Sequence, residues 1–504
     1  MLACIRSAAV LGVAAYHVHV EVDVSFGLPQ FTMVGLPDVT VRESRDRVRS
    51  AIRNSGFEFP PHRITVNLSP ADVRKVGSSF DLPIALGLLA ASGVVTRTTT
   101  DDMVVLDELS LDGVINPCLG VLPVAVAARR LQARWLLVPP QNAHEASLVE
   151  GLRVCLVRTL REAVEALNCP EQAPVVIGPP APPDVPSVRA GLDLADVRGQ
   201  AVARRALEVA AAGAHHLLLT GPPGTGKTML ARRLPTILPP LTFDEALECM
   251  AVHSVAGTLP PQGRLLTDRP FRAPHHTASH VALVGGGAMP RPGEISLAHN
   301  GVLFLDEMPE FARRALDALR QPLEEGRVTI ARAAHAAVFP ARFLLVGAMN
   351  PCPCGYLTDE VRPCRCTPTQ VDRYGGRLSG PLRDRFDMTI EVAALPIEHL
   401  EDTAPGEDSA RVRERVCRAR RAQQWRYGPT GCRTNAEASQ TAIEEAGGLA
   451  ATGRTLLRRA VARLGLSARG HARVIRVART IADLEDSPGI EDSHVAEALQ
   501  YRQP

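Results

Sequence analysis

One lysine, one threonine and a set of glycines stand where they can grip phosphate. Residues 221–228 read Gly-Pro-Pro-Gly-Thr-Gly-Lys-Thr, the G-x-x-x-x-G-K-[ST] spacing of a loop whose backbone N–H groups close around nucleotide phosphates. Gly221, Pro222, Pro223, Gly224, Thr225 and Gly226 form the cradle. Lys227 reaches the β and γ phosphates of ATP, and Thr228 holds Mg²⁺. The chain has only two lysines, Lys75 and Lys227, among 56 Lys and Arg residues. Where arginine fills nearly every basic position, a lysine here marks a need for a compact ammonium.

Further on, Gly301 to Leu305 is an apolar run ending in Asp306 and Glu307. The spacing predicts a buried parallel strand with two carboxylates at its C-terminal end, where open α/β sheets place their ligand chemistry. Asp306 is expected to hold Mg²⁺ through water, and Glu307 to act as general base toward the attacking water. A third apolar run, Phe343 to Met349, ends in Asn350, an amide suited to orienting that water or sensing the γ-phosphate.

Just beyond lie Cys352, Cys354, Cys364 and Cys366, two C-x-C pairs within fifteen residues. Four thiolates can supply a tetrahedral, structural Zn²⁺ site, although C-x-x-C is the usual knuckle. Nothing in the chain reads as a secretion feature, so the thiols are expected reduced in a cytoplasmic setting. The position between Asn350 and Arg385 predicts an insertion that braces a subunit interface. His275, His276 and His280 read as structural or inter-subunit groups rather than metal ligands.

Elements must hold these groups in place. His216 to Thr220 predicts the strand that feeds the phosphate loop, and Met229 to Leu234 the helix whose N-terminus favours negative charge. Glu171 to Ser187 is proline-rich and predicts an extended linker. Four segments follow: an α/β domain at 1–170, the linker at 171–189, a P-loop core at 190–395 with a cysteine-rich insertion at 351–367, and a helical region at 396–504. In the first, His17 to Val24 alternates as a strand, read with the start of the chain as a β-hairpin. Asp38 to Ser55 predicts an amphipathic helix with Asp38 as N-cap. Composition bounds the partners. Formal charge is +2 and aromatic content 4%, so no global basic field or stacking surface announces nucleic acid and any such contact must be local. No apolar run is long enough for a membrane span.

The D-E pair, the strand order and the terminal Asn resemble AAA+ ATPases, in which Asn350 is sensor 1. Arg269–Thr277, Gly293–Gly301, Arg377–Asp387 and Ala478–Leu484 narrow the resemblance to the magnesium-chelatase-like AAA+ group. Together with the N-terminal third they are similar to its bacterial competence-associated branch over essentially the whole chain. That family implies cytoplasmic, hexameric ATPases engaged in DNA branch migration during natural transformation. The resemblance implies adenine contacts from the backbone of Val197 and Gly199. It implies a finger, Arg385, entering the neighbouring subunit's site, with Arg383 as rival. It places Arg469 as sensor 2 acting in cis from the lid, a role Arg473 could share. Similar cysteines occur in the family, without naming the metal. The segment Arg327 to Phe339 resembles a pore-lining hairpin, with Arg332 and His335 at its tip touching DNA phosphates without sequence preference.

The implied fold class is α/β and multidomain: a Lon-protease-like (ribosomal S5 domain 2-like) domain, an AAA+ parallel-sheet core and an α-helical lid. Gly77 to Asp81 occupies the protease's serine loop, but Gly120-Val121-Leu122-Pro123 stands where its lysine should follow. A serine without a base is inert, so proteolysis is disfavoured. A DNA motor and a chelatase- or chaperone-type motor acting on a protein partner both remain open.

Overall fold

The computed structural model describes residues 1–71, 75, 77–97, 100–178, 191–259, 265–287, 290–331, 336–359, 361–394, 406–428 and 431–502. The chain opens with a β-hairpin, Leu2–Leu11 and Ala14–Ser25, turned at Gly12 with φ +66°. Val18, Val20 and Val22 are fully buried while His17, His19 and Glu21 are not, the two-residue alternation of a sheet with one covered face. The sheet continues with Arg63–Ser69 and Gln30–Val34 in the spatial order 2–11, 14–25, 63–69, 30–34. Helix Val39–Asn54 starts where the sequence predicts, with the Asp38 carboxylate accepting from Val41 N–H at 2.9 Å. Helix Asp81–Ala91 is apolar all round and buried accordingly.

A second sheet contains Val175–Ile177, Arg153–Leu156, Trp135–Val138 and Met103–Val105, in that order. This corrects the expected boundary. Val175 pairs with Cys155 and Ile177 with Arg153, so the β-branched run at 175–177 belongs to the first unit rather than to the linker. Most of the proline-rich segment, 179–190, lies outside the described residues.

The core holds five parallel strands in the order Phe271–Arg272, Val302–Leu305, Leu344–Met349, Leu217–Thr220, Met388–Glu391. The middle strands are buried on both faces, which explains their unbroken apolar runs. Helices Ala201–Gly213 and Lys227–Ile237 cover one face. The C-terminal helices Ser409–Tyr427 and Ala468–Leu484 pack onto Ala201–Gly213, Asp492–Gln500 packs on Ala468–Leu484 and on Ala451–Leu464, and all four share the hydrophobic core of the sheet. The motif at 478–484 is structural. Arg479, fully buried, donates to Asp483 and to the carbonyls of Ser487 and Pro488, and Arg426 donates two further bonds to Asp483.

Among the described residues the first unit meets the core at several places. Helix Val121–Arg130 packs on helix Phe243–Ala256, beside a buried bond from Ser254 Oγ to Glu145 at 2.7 Å. At the hairpin turn, a Cβ on Gly12 would come within 2.5 Å of the Val338 carbonyl, so only glycine fits this approach to the core.

Candidate nucleotide-hydrolysis site

The phosphate loop leaves the strand Leu217–Thr220 and turns through Gly224 at φ +83° and Gly226 at φ +90° before helix Lys227–Ile237 begins. Nothing lies within 4 Å of where a Gly224 Cβ would stand, so the concave side is open to a ligand. Lys227 Nζ donates to the carbonyls of Gly221 (2.7 Å) and Pro222 (2.8 Å) and to Asn350 Oδ1 (3.2 Å). Three oxygens thus meet the ammonium's three N–H donors, the number it has for phosphate oxygens. Burial pulls its pKa below the usual lysine value, and Asp306 opposes that fall.

Thr228 Oγ1 donates to Asp306 Oδ2 at 2.6 Å. The hydroxyl and carboxylate expected to share Mg²⁺ are therefore adjacent, and both are hard oxygen donors; the residues fit the ion. Glu307 follows with φ +48°, a left-handed conformation that costs a non-glycine residue on the order of 1 kcal/mol or more and turns the side chain away from the strand. Its N–H donates to Asp306 Oδ1 at 2.9 Å. Its carboxylate meets His276 Nδ1 at 3.1 Å. The place of His276 beside Glu307 escapes a linear reading. Its signal was the neighbouring strand: Phe271–Arg272 pairs with Val302–Leu305, so the loop after residue 272 must emerge beside Asp306 and Glu307.

The segment carrying Val197 and Gly199 is clamped between the phosphate-loop helix and the lid. Arg233 donates to the Asp193 carbonyl and to Asp196 (both 2.7 Å), while Leu194 N–H donates to Ser409 Oγ at 2.7 Å. Val197 is fully buried and Gly199 has φ +56°.

The arginines lie elsewhere. Arg385 is at the opposite end of the sheet, two residues before Asp387, whose N–H bonds the His216 carbonyl at the start of the phosphate-loop strand. Arg385 pairs with Glu324, and burial, with Arg469 and Arg320 nearby, lowers its pKa. Arg473 sits 3.4 Å from Asp387. Burial alone would raise the Asp387 carboxyl, but His215, His216 and Arg473 hold it at about 2. A cavity of about 550 Å³ opens here, lined by Arg385, Arg473 and Arg476 among others. Arg469 is exposed on this side, one helical turn before Arg473. This differs from the expected cis contact. Helix Ala468–Leu484 packs on Ala201–Gly213, and its Arg473 meets Asp387 beside the start of strand Leu217–Thr220, the end of the sheet away from the phosphate loop. Arg383 is exposed, and its side chain donates to the Gly375 carbonyl at 3.4 Å.

The hairpin is present as Arg327–Ala331 paired with Ala336–Pro340. Its tip, with Arg332 and His335, lies outside the described residues. The sulfurs of Cys352, Cys354, Cys364 and Cys366 all lie within 4.8 Å of one another, and the donor set fits a closed tetrahedral Zn²⁺ site. At the lysine position of the protease comparison, Gly120 caps helix Val121–Arg130 with φ +80°, and Ser78 Oγ bonds Glu108.

A phosphate loop and an acid-bearing strand separated by one strand that ends in an amide, with C-terminal helices packed on the core, define a P-loop ATPase of the AAA+ type. Residues 193–400 match the family model described as magnesium chelatase, subunit ChlI, residues 20–142 that described as subunit ChlI of Mg-chelatase, and residues 406–502 that of the ChlI C-terminal part. The chain is 48% identical to competence protein ComM of Haemophilus influenzae over 99% of its own length and 97% of that protein's. It is 46% identical to the uncharacterized protein YifB of Escherichia coli over the same shares. A more distant similarity, 28% identity over 41% of the chain and 46% of the relative, links it to the Holliday junction branch migration complex subunit RuvB of Saccharopolyspora erythraea. The chain belongs to the ComM-type, magnesium-chelatase-like family of AAA+ ATPases.

Proposed function

We propose that this protein is an ATP-driven ring motor, a hexamer of identical chains in the cytoplasm, that acts on DNA by helicase or branch-migration activity during natural transformation or recombination. One observation supports the motor reading: Lys227, Thr228, Asp306 and Glu307 gather at one end of the sheet and a cluster of arginines lies at the other. Head-to-tail packing of identical subunits joins two such ends and closes a ring. Mg²⁺ bound between Thr228 and Asp306 would supply charge neutralisation to the β and γ phosphates. The chain's own groups do the rest. Lys227 binds the phosphate oxygens, Asn350 and His276 orient the amide and the carboxylate around the reacting water, and Glu307 takes its proton. Arg385 serves the neighbouring subunit, and Arg469, on the same side, does so with it.

The DNA reading draws on full-length similarity to a competence protein and on the hairpin beside the Asn350 strand. It is tested by the ATPase rate with no DNA and with single-stranded, duplex and four-way-junction DNA. A rise with DNA, largest for the junction, is expected. A rate indifferent to DNA favours the second reading, a chelatase- or chaperone-type motor on a protein partner, which the magnesium chelatase family models support. Proteolysis is not part of the proposal, since Gly120 stands where a base is needed. No described helix is long and apolar enough to cross a membrane.

A further inference from the structure

The four-cysteine segment touches the phosphate loop of its own chain. Gly355, at φ +86°, lies so close to Pro223 that a Cβ there would stand 2.7 Å from Pro223 Cδ, 3.3 Å from its Cγ and 3.9 Å from Asn350 Cγ. Cys352, two residues after Asn350, is fully buried. Cys352 Sγ lies 3.3 Å from Cys354 Sγ and 3.7 Å from Cys364 Sγ, and the latter two are 3.6 Å apart. Four sulfurs about 2.3 Å from one ion stand roughly 3.8 Å apart, whereas a disulfide needs about 2.05 Å. The spacing is that of a metal cage. Leu357 is 47% and Val361 88% exposed, so apolar burial contributes little to the segment's order, and its local hydrogen bonds, from the Val361 and Arg362 N–H groups to Asp359 and from Arg362 to Tyr356, tie it only to itself.

We infer that a thiolate-bound metal ion of the Zn²⁺ class in this cage braces the nucleotide site, by pressing the Gly355 backbone against Pro223 and fixing the strand end that carries Asn350. This rests on the ATPase reading and adds to it a dependence of nucleotide binding on the metal. The cage works inside the subunit, where the sequence alone pointed to the subunit interface. Gly355 is a positioning residue: it touches the loop, not the nucleotide. With the ion absent, the segment is free to leave Pro223, Asn350 loses its fixed place 3.2 Å from Lys227 Nζ, and the loop no longer keeps the phosphate-binding shape.

The test uses the full chain, its metal content by elemental analysis and its affinity for a fluorescent ADP analogue at equilibrium. The protein as purified is expected to carry about one Zn²⁺ per chain. Stripping it with a chelator should weaken ADP binding roughly tenfold or more, and added Zn²⁺ should restore it. Cys364→Ser with Cys366→Ser should lose metal and affinity together. Gly355→Ala is the decisive variant, because it leaves all four thiols in place. It should keep its Zn²⁺ and still bind ADP several-fold more weakly. Unchanged ADP affinity in stripped protein, or wild-type affinity in Gly355→Ala, overturns the inference, as does a metal-free protein with full affinity. Wild-type protein that carries Zn²⁺ but binds no ADP overturns the ATPase reading instead.

Discussion

Replacing Arg385 with alanine should stop turnover and leave nucleotide affinity nearly intact. The reason is distance. Arg385 is placed at the start of the four-residue strand Leu217–Thr220 through the Asp387–His216 bond, and the phosphate loop begins at its end. At about 3.3 Å per residue the two ends are roughly 13 Å apart, beyond the span of an arginine side chain. Arg385 is out of reach of its own chain's phosphate loop, and this is the ground for expecting it to act on a neighbour's. Removing such a finger costs about 10³–10⁵ in rate, roughly 4–7 kcal/mol of barrier. The diagnostic assay mixes two inactive proteins. Each working interface needs Glu307 from one subunit and Arg385 from the next. In an equal, random mixture of Arg385→Ala and Glu307→Gln subunits, about one interface in four has both, whatever the ring size. Independent interfaces would then restore roughly a quarter of wild-type turnover. Mixed rings that form, as shown by co-purification of two tags, yet hydrolyse no more ATP than either parent would refute the trans assignment. So would an Arg385→Ala protein whose ATP affinity falls as far as its rate.

Lys227→Ala should abolish nucleotide binding, while Glu307→Gln should bind ATP normally and lose about 10²–10⁴ in turnover; equilibrium binding and steady-state rates separate the two, and equal affinity in Lys227→Ala and wild type would refute the lysine's role. Asp107 is fully buried, and burial raises its pKa to about 8 against the opposing pull of Cys118 beside its carboxylate. The folded chain therefore holds a proton that the unfolded chain lacks between about pH 4 and pH 8, and stability falls as pH rises through that window by up to ~1.4 kcal/mol per unit. Asp107→Asn should stabilise the protein more at pH 7.5 than at pH 5.5 in thermal unfolding, and an equal gain at both would show the carboxyl to be ionised throughout. Arg332→Ala at the hairpin tip should flatten the log–log salt dependence of DNA binding by about 0.7–0.9, the share of one phosphate contact; an unchanged slope places DNA elsewhere.

Much of the site was legible because its chemistry is local in sequence. The phosphate loop needs consecutive residues, so the spacing of Gly221, Gly226, Lys227 and Thr228 could only be read one way. The apolar runs before Asp306 and Asn350 announced strands buried on both faces, and Asp38 announced its helix through a single side-chain cap. The cysteine cage was visible as a ligand set, since two C-x-C pairs fall within one short loop. The linker begins later than its composition suggests, because Val175-Val176-Ile177 reads as extended chain whether or not a strand waits to pair with it, and only the neighbouring Arg153–Leu156 decides that.

What the sequence could not contain is which distant pieces meet. That His276 faces Glu307 follows from two strands lying side by side, and that Gly355 presses on Pro223 follows from the Asn350 strand lying beside the phosphate-loop strand. The same sheet sends Arg385, Arg469 and Arg473 to the end away from their own nucleotide site, because side chains at the start and finish of a strand are separated by its whole length. Residue types and spacings determined the chemistry this chain carries. The packing of strands and C-terminal helices alone decided which groups gather at the phosphate loop and which stand at the far end of the sheet.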